Sequence, residues 1–205
     1  MACRLGGRAE DGSDSEPMRA QHHLIHAGYV RDGGVSVGSS VSLVTDGEAV
    51  IVIDPGMVAS TSLILEPLAK LGYRAEQVTH VALTHHHPDH ALNTALFPNA
   101  ELVDAWARYR GDQWLDHDGD GHRLSQHTWI ILTPGHTHQD LTFMAETDAG
   151  VVACTHTWWH ADRTPEIDPH CDDQAALEAS RRRILAEADI VVPGHGEPFL
   201  TGRGR

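Results

Sequence analysis

The segment Thr84-His85-His86-His87-Pro88-Asp89-His90 puts four potential metal ligands, His85, His87, Asp89 and His90, directly after the apolar run from Val78 to Leu83. His85 and His87 are two residues apart, so an extended turn would point both the same way and let them grip one cation from one side. Asp89 and His90 fall where a following helix should begin. There a loop-to-helix transition can aim them at a second cation, or at a water on the first. A histidine-rich loop that only collects metal needs no distant partners, yet this chain supplies them. His136 lies in Thr133-Pro134-Gly135-His136-Thr137, after the strand-like segment Thr128 to Leu132, and His195 lies in Pro193-Gly194-His195-Gly196, after Ile190 to Val192. Asp54 ends another apolar run in Asp54-Pro55-Gly56. A metal site on the rim of a sheet needs this arrangement, because strands fix the backbone while Gly/Pro turns expose the side chains.

On these residues the chain resembles the metallo-β-lactamase superfamily, whose pattern His-x-His-x-Asp-His is followed by a Gly-His turn, a strand ending in Gly-Asp, and a late Gly-His. The likeness runs from about Val41 to Phe199. It implies that His85, His87 and His136 hold a first metal and that Asp89, His90 and His195 hold a second. Asp54 would be the buried aspartate that supports the histidine turn by hydrogen bonding. The metal implied is zinc, one ion or two, with iron or manganese as alternatives. Within the superfamily the chain is similar to short proteins related to metallo-β-lactamase domain-containing protein one, through the passage from Ser180 to Phe199 and through Phe97-Pro98-Asn99-Ala100.

One position departs from that pattern. Where the superfamily has a strand ending in Gly-Asp, this chain reads Gly150-Val151-Val152-Ala153-Cys154-Thr155-His156-Thr157-Trp158-Trp159. Alignment of the apolar run and the tryptophan pair puts His156 in the aspartate's place. A neutral imidazole offers one lone pair and no charge, so it completes one metal's shell but does not bridge two ions as a carboxylate does. The expectation is one tightly held metal, or two joined only by water or hydroxide. Cys154 is the rival ligand, since a thiolate would restore the missing charge; its alternative is burial at the end of an apolar strand. His156 is the preferred ligand of the two.

The elements that must position these residues can be read from hydrophobic periodicity. Strands are expected at Leu24 to Val30, Ser40 to Thr45, Ala49 to Ile53, Val78 to Leu83, Glu101 to Val103, Thr128 to Leu132, Leu141 to Ala145, Val151 to Thr155 and Ile190 to Val192. Helices are expected from Ser60 to Leu71, from Pro88 to just before Pro98, and from Asp173 to Glu187. Residues 105–122 read as irregular and as a candidate pocket wall. Residues 1–20 read as a disordered segment, and 21–205 as one catalytic domain. Two strand-rich halves with helices predict an α+β fold, a four-layer αββα sandwich with the site at one edge.

Composition narrows the function. The 29 acidic residues against 15 basic ones give a net charge of −14, a surface that repels polyanions, so nucleic acid is a disfavoured partner. The one basic cluster, Arg181-Arg182-Arg183, reads as a solvated helix face paired with Glu178 and Glu187. No apolar run is long enough to span a membrane, the first residues lack the apolar core of a signal peptide, and three scattered cysteines do not make a disulfide framework; the location expected is cytoplasmic. No pattern sets an oligomeric state. The reaction expected is hydrolysis of a small ester, thioester, lactone or amide by attack of metal-bound hydroxide, with Asp89 as the catalytic orienting group or proton acceptor. Trp158 and Trp159 are candidates for the pocket mouth, and one of the pair for the core. The other readings are an RNA-cleaving metallo-hydrolase, a non-haem iron redox enzyme and a noncatalytic metal-binding protein.

Overall fold

A computed structural model describes residues 19–203. The strands are β1 (Gln21–His26), β2 (Tyr29–Arg31), β3 (Ser36–Gly38), β4 (Val41–Asp46), β5 (Ala49–Ile53), β6 (His80–Ala82), β7 (Glu101–Val103), β8 (Arg108–Arg110), β9 (Gln113–Leu115), β10 (Thr128–Leu132), β11 (Leu141–Thr147), β12 (Gly150–Cys154), β13 (Ile190–Val192) and β14 (Phe199–Leu200). The helices are α1 (Ser62–Lys70), α2 (Pro88–Ala91) and α3 (Gln174–Glu187). Among the described residues one sheet has the order β1-β4-β5-β6-β7-β8-β9, a second has β10-β11-β12-β13-β14, and β2-β3 form a separate hairpin.

Three apolar layers hold this together. Val44, Ile51, Ile53 and Ala82 of the first sheet meet Ile130, Leu141, Phe143 and Val152 of the second. The outer face of the first sheet, through Leu43, Val52 and Val81, packs on Ile64 and Leu68 of α1, which are four residues apart and so share a helix face. The outer face of the second, through Ile131, Met144 and Val191, packs on Ile184 of α3. Each such fully buried aliphatic or aromatic side chain contributes roughly 1.5–3 kcal/mol. Successive strand residues therefore serve different layers, and the whole is the αββα sandwich expected from the two strand-rich halves.

Strand direction then fixes the site. β5 and β6 are parallel, and their ends deliver Asp54 and the histidine turn. β10 and β12 each run antiparallel to β11, and β13 runs parallel to β12. The carboxyl ends of β10, β12 and β13, which lead to His136, His156 and His195, thus share one edge of the second sheet.

Several boundaries differ from the sequence reading. The expected first strand divides after His26 into β1 and β2. The helix after the histidine turn is a single turn followed by a 3-10 turn at Thr94–Leu96. Thr94 Oγ1 donates to Ala91 O (2.7 Å) and Asn93 N to Pro55 O (2.8 Å), so local partners compete with helix continuation. Residues 105–122 are not wholly irregular: β8 and β9 form a hairpin around Gly111, extending the first sheet. Its three-residue strands are too short for periodicity to reveal. Arg19 and Ala20, expected in the disordered segment, belong to the fold, since Ala20 is buried and pairs with Thr147. The rest of that expectation, residues 1–18, lies outside the described residues.

Candidate metal centre

Asp54 is the hinge of the first sheet's side. Its backbone has φ 51°, a left-handed conformation that aspartate tolerates better than most residues, which turns the chain sharply at the end of β5. Its Oδ1 accepts from Thr84 N (2.7 Å), and its Oδ2 accepts from Thr84 Oγ1 (2.7 Å) and His90 Nδ1 (2.7 Å). One buried carboxylate thereby fixes both ends of the histidine turn. Gly56, two residues on, is required by close approach: a Cβ there would lie 1.6 Å from Asp89 O. Alternation along the turn sends His86 the other way, to Asp104 Oδ2 (2.9 Å) and the edge of Trp106.

The seven expected ligands all converge. Ligand atoms lie within 4.8 Å of one another in each of three groups: His85, His87 and His136; Asp89, His90 and His195; and His85, His90 and His156. The first two groups are the sets that the resemblance implies. The third takes one histidine from each set and adds His156, whose ring centroid is 4.4 Å from His85, 4.8 Å from His90, 4.2 Å from His136 and 5.0 Å from His195. His156 thus occupies the position between the two sets. Gly194 makes the room, since a Cβ on it would stand 2.5 Å from the His156 ring.

The donor set suits a cation. His85 Nε2, His90 Nε2 and His156 Nδ1 are buried with no hydrogen-bond partner, an arrangement that is costly without a ligand. Burial, reinforced by the neighbouring imidazoles, drives the pKa of His85 and His156 well below the ordinary histidine value and lowers His195 to about 4. These rings are neutral at physiological pH, and their lone pairs are free to coordinate. His90 goes the other way. Burial opposes its charge, but the Asp54 carboxylate outweighs burial and raises its pKa. Other Nδ1 atoms are also engaged: His136 Nδ1 donates to Asp168 Oδ2 (2.8 Å) and His195 Nδ1 to Gly38 O (3.0 Å). Such partners fix the tautomer and leave Nε2 for the metal.

Asp168 is the residue that sequence reasoning missed. It is buried in an irregular loop, and it also accepts from Trp159 Nε1 (3.1 Å). Nothing in its neighbours Ile167 and Pro169 distinguishes it from the solvated acids nearby. The tryptophan pair divides: Trp158 is buried edge-on to Phe199, while Trp159 lines the pocket and stacks on His170 (5.8 Å). Cys154 lies in the core between the sheets, and burial pushes its thiol up to about 12.

A pocket of about 670 Å³ opens on the centre. His87, Asp89, His136, His156 and His195 line it, with Val30, Val35, Val37, Met57, Pro169 and Trp159 as apolar walls. The β2-β3 hairpin, not residues 105–122, therefore supplies a wall of the pocket. Val30 and Val37 are cross-strand partners and present one face to the pocket.

Comparison with known proteins agrees with this geometry. A sequence profile of the metallo-beta-lactamase superfamily matches residues 35–130. Metallo-beta-lactamase domain-containing protein 1 of Xenopus laevis is 30% identical over 187 residues, covering 86% of this chain and 80% of that protein. A hydroxyacylglutathione hydrolase of Aeromonas hydrophila is 36% identical over 152 residues, covering 68% of this chain and 53% of that enzyme. The crystal structure of a candidate metallo-beta-lactamase of Thermotoga maritima superposes with a TM-score of 0.70 at 21% identity, covering 89% of this chain and 99% of that one. With its sandwich, its histidine turn and these relatives, the chain belongs to the metallo-beta-lactamase superfamily and is a metallo-hydrolase of that fold.

Proposed function

We propose that this chain hydrolyses a small ester, thioester, lactone or amide with an apolar acyl portion, using zinc held by His85, His87 and His136 with Asp89, His90 and His195 beside it. The observation that carries this reading is the convergence of imidazoles at one end of a pocket with largely apolar walls, with buried, unpartnered nitrogens on His85, His90 and His156, the last of which lines the pocket. Bound zinc would supply Lewis acidity, polarising the substrate carbonyl and acidifying a water. The remaining work belongs to the protein. Among the described residues two carboxylates line the pocket, Asp32 on the β2-β3 hairpin and Asp89 among the ligand histidines, where Asp89 Oδ2 is 3.5 Å from both His90 Nε2 and His195 Nε2. Asp89 orients the attacking water and accepts its proton. Val30, Val37, Met57 and Trp159 bury the acyl group and exclude bulk water from the reacting carbonyl.

His156 sets the metal count. Standing between the two ligand sets with one lone pair and no charge, it supports one tightly held zinc where a carboxylate would bridge two. Because five of the seven groups line the open pocket, the centre is accessible to substrate, which favours catalysis over a closed, noncatalytic site.

A panel of small esters, thioesters and lactones with acyl chains of increasing length tests this, read for wild type and Asp89→Asn. The expected outcome is turnover that improves with acyl length, and a kcat lower by about 10²- to 10⁴-fold in the variant with zinc retained. Near-normal turnover by Asp89→Asn removes that residue from the role. Inactivity of zinc-loaded wild type on every member of the panel removes the substrate class.

A further inference from the structure

The three arginines of α3 have different fates, which the expectation of a uniformly solvated face did not separate. Arg183 pairs with Glu187 (2.9 Å) and Asp120 (2.8 Å) near the surface. Arg182 is exposed. Arg181 is buried, only 6% exposed, although desolvating a guanidinium is costly. Every nitrogen of its side chain is used. Nε donates to Thr157 O (2.8 Å), Nη2 to Pro165 O (2.8 Å), and Nη1 to Glu166 O (2.7 Å) and Glu178 Oε1 (3.0 Å), while its charge lies over the Trp158 ring at 5.6 Å. Three of these acceptors are backbone carbonyls from the two ends of one loop. That loop begins at His156, carries Trp159, and leads directly into Asp168, the carboxylate that orients His136.

We propose that Arg181 is a positioning residue of the metal centre: by drawing both ends of the 157–166 loop onto α3, it places Asp168, and through Asp168 it aims His136. The inference rests on the reading of His136 as a zinc ligand. Only a planar, rigid fork of five N–H donors satisfies three carbonyls and a carboxylate at once; a lysine has one nitrogen to share among them. From Arg181 the route to His136 runs through Asp168, so removing either residue should release that imidazole.

The test is a double-mutant cycle on the full chain with Arg181→Gln, Asp168→Asn and both together. Zinc affinity is read by competition with a chromogenic chelator, and folding of the metal-free protein by circular dichroism. Each single substitution is expected to weaken zinc binding about 10- to 100-fold, and the double to weaken it no further than the weaker single. Arg181→Lys is the second variant should Arg181→Gln not fold; it keeps the charge but loses the fork, and is expected to weaken zinc in the same direction. Affinity lost in Asp168→Asn but kept in folded Arg181→Gln or Arg181→Lys overturns the positioning role and leaves the ligand reading intact. Effects that multiply in the double variant overturn it too. Unchanged affinity in Asp168→Asn overturns the ligand reading of His136 beneath it, and the inference with it.

Discussion

On the first sheet's side of the centre one carboxylate, Asp54, does three jobs, holding Thr84 N, Thr84 Oγ1 and His90 Nδ1 at 2.7 Å each. On the second sheet's side the equivalent work is spread over a loop and a helix: Asp168 holds His136, Trp159 steadies Asp168, and Arg181 ties the loop to α3. The first arrangement stands on the ends of two paired strands, so it shares the stability of the core. The second stands on irregular backbone, and its order depends on a few side-chain bonds. The two sides should therefore respond differently to damage, one by losing the fold and the other by losing the metal.

That contrast can be broken directly. Asp54→Ala strands a buried histidine and two donors of Thr84, and should lower unfolding free energy in chelator by roughly 3–5 kcal/mol. Asp168→Ala should cost about 1–3 kcal/mol while weakening zinc binding about 10- to 100-fold. Equal stability losses for the two, measured by denaturant unfolding of metal-free protein, would erase the distinction.

A smaller effect should be seen away from the centre, where Asp46 joins the two halves. Its Oδ2 accepts from His127 N (2.7 Å) and Ser125 Oγ (2.6 Å), and its Oδ1 pairs with His127 Nδ1 (2.9 Å). Burial pushes this carboxyl up, but the bonds from His127 and Ser125 outweigh burial and leave its pKa below the ordinary value. A depressed folded-state pKa means stability that is present above the unfolded value of about 4 and lost as pH falls through the folded value. Asp46→Asn should flatten the acid limb of Tm against pH, with the two proteins converging at the lowest pH. Parallel curves would mean that Asp46 is not the group being titrated.

The smallest effect concerns the rival ligand. Cys154 packs among core residues, so Cys154→Ala should cost about 1 kcal/mol and leave zinc content unchanged. Loss of zinc in a folded variant would instead make it a ligand.

The same contrast explains what was legible in the sequence. His85, His87, Asp89, His90, His136, His195 and Asp54 each sit on a turn after an apolar run, a signature carried by adjacent residues. His156 was found by aligning one strand end against a known pattern. Asp168 and Arg181 have no such local mark: their roles arise only when a loop folds back on a helix. The β8-β9 hairpin was missed because three-residue strands carry too little periodicity, and the β2-β3 wall because its strand was read as continuous with β1. The sandwich itself was visible in long β-branched runs such as Ala49–Ile53, which have few other ways to bury both faces.

The central claim, that His156 replaces a bridging charge and holds the centre to one tight metal, is tested most directly by elemental mass spectrometry of protein purified without chelator, beside a matched His156→Asp variant. The account predicts about one equivalent of zinc in the parent and about two in the variant. Two equally tight equivalents in the parent, or iron in place of zinc, would contradict it.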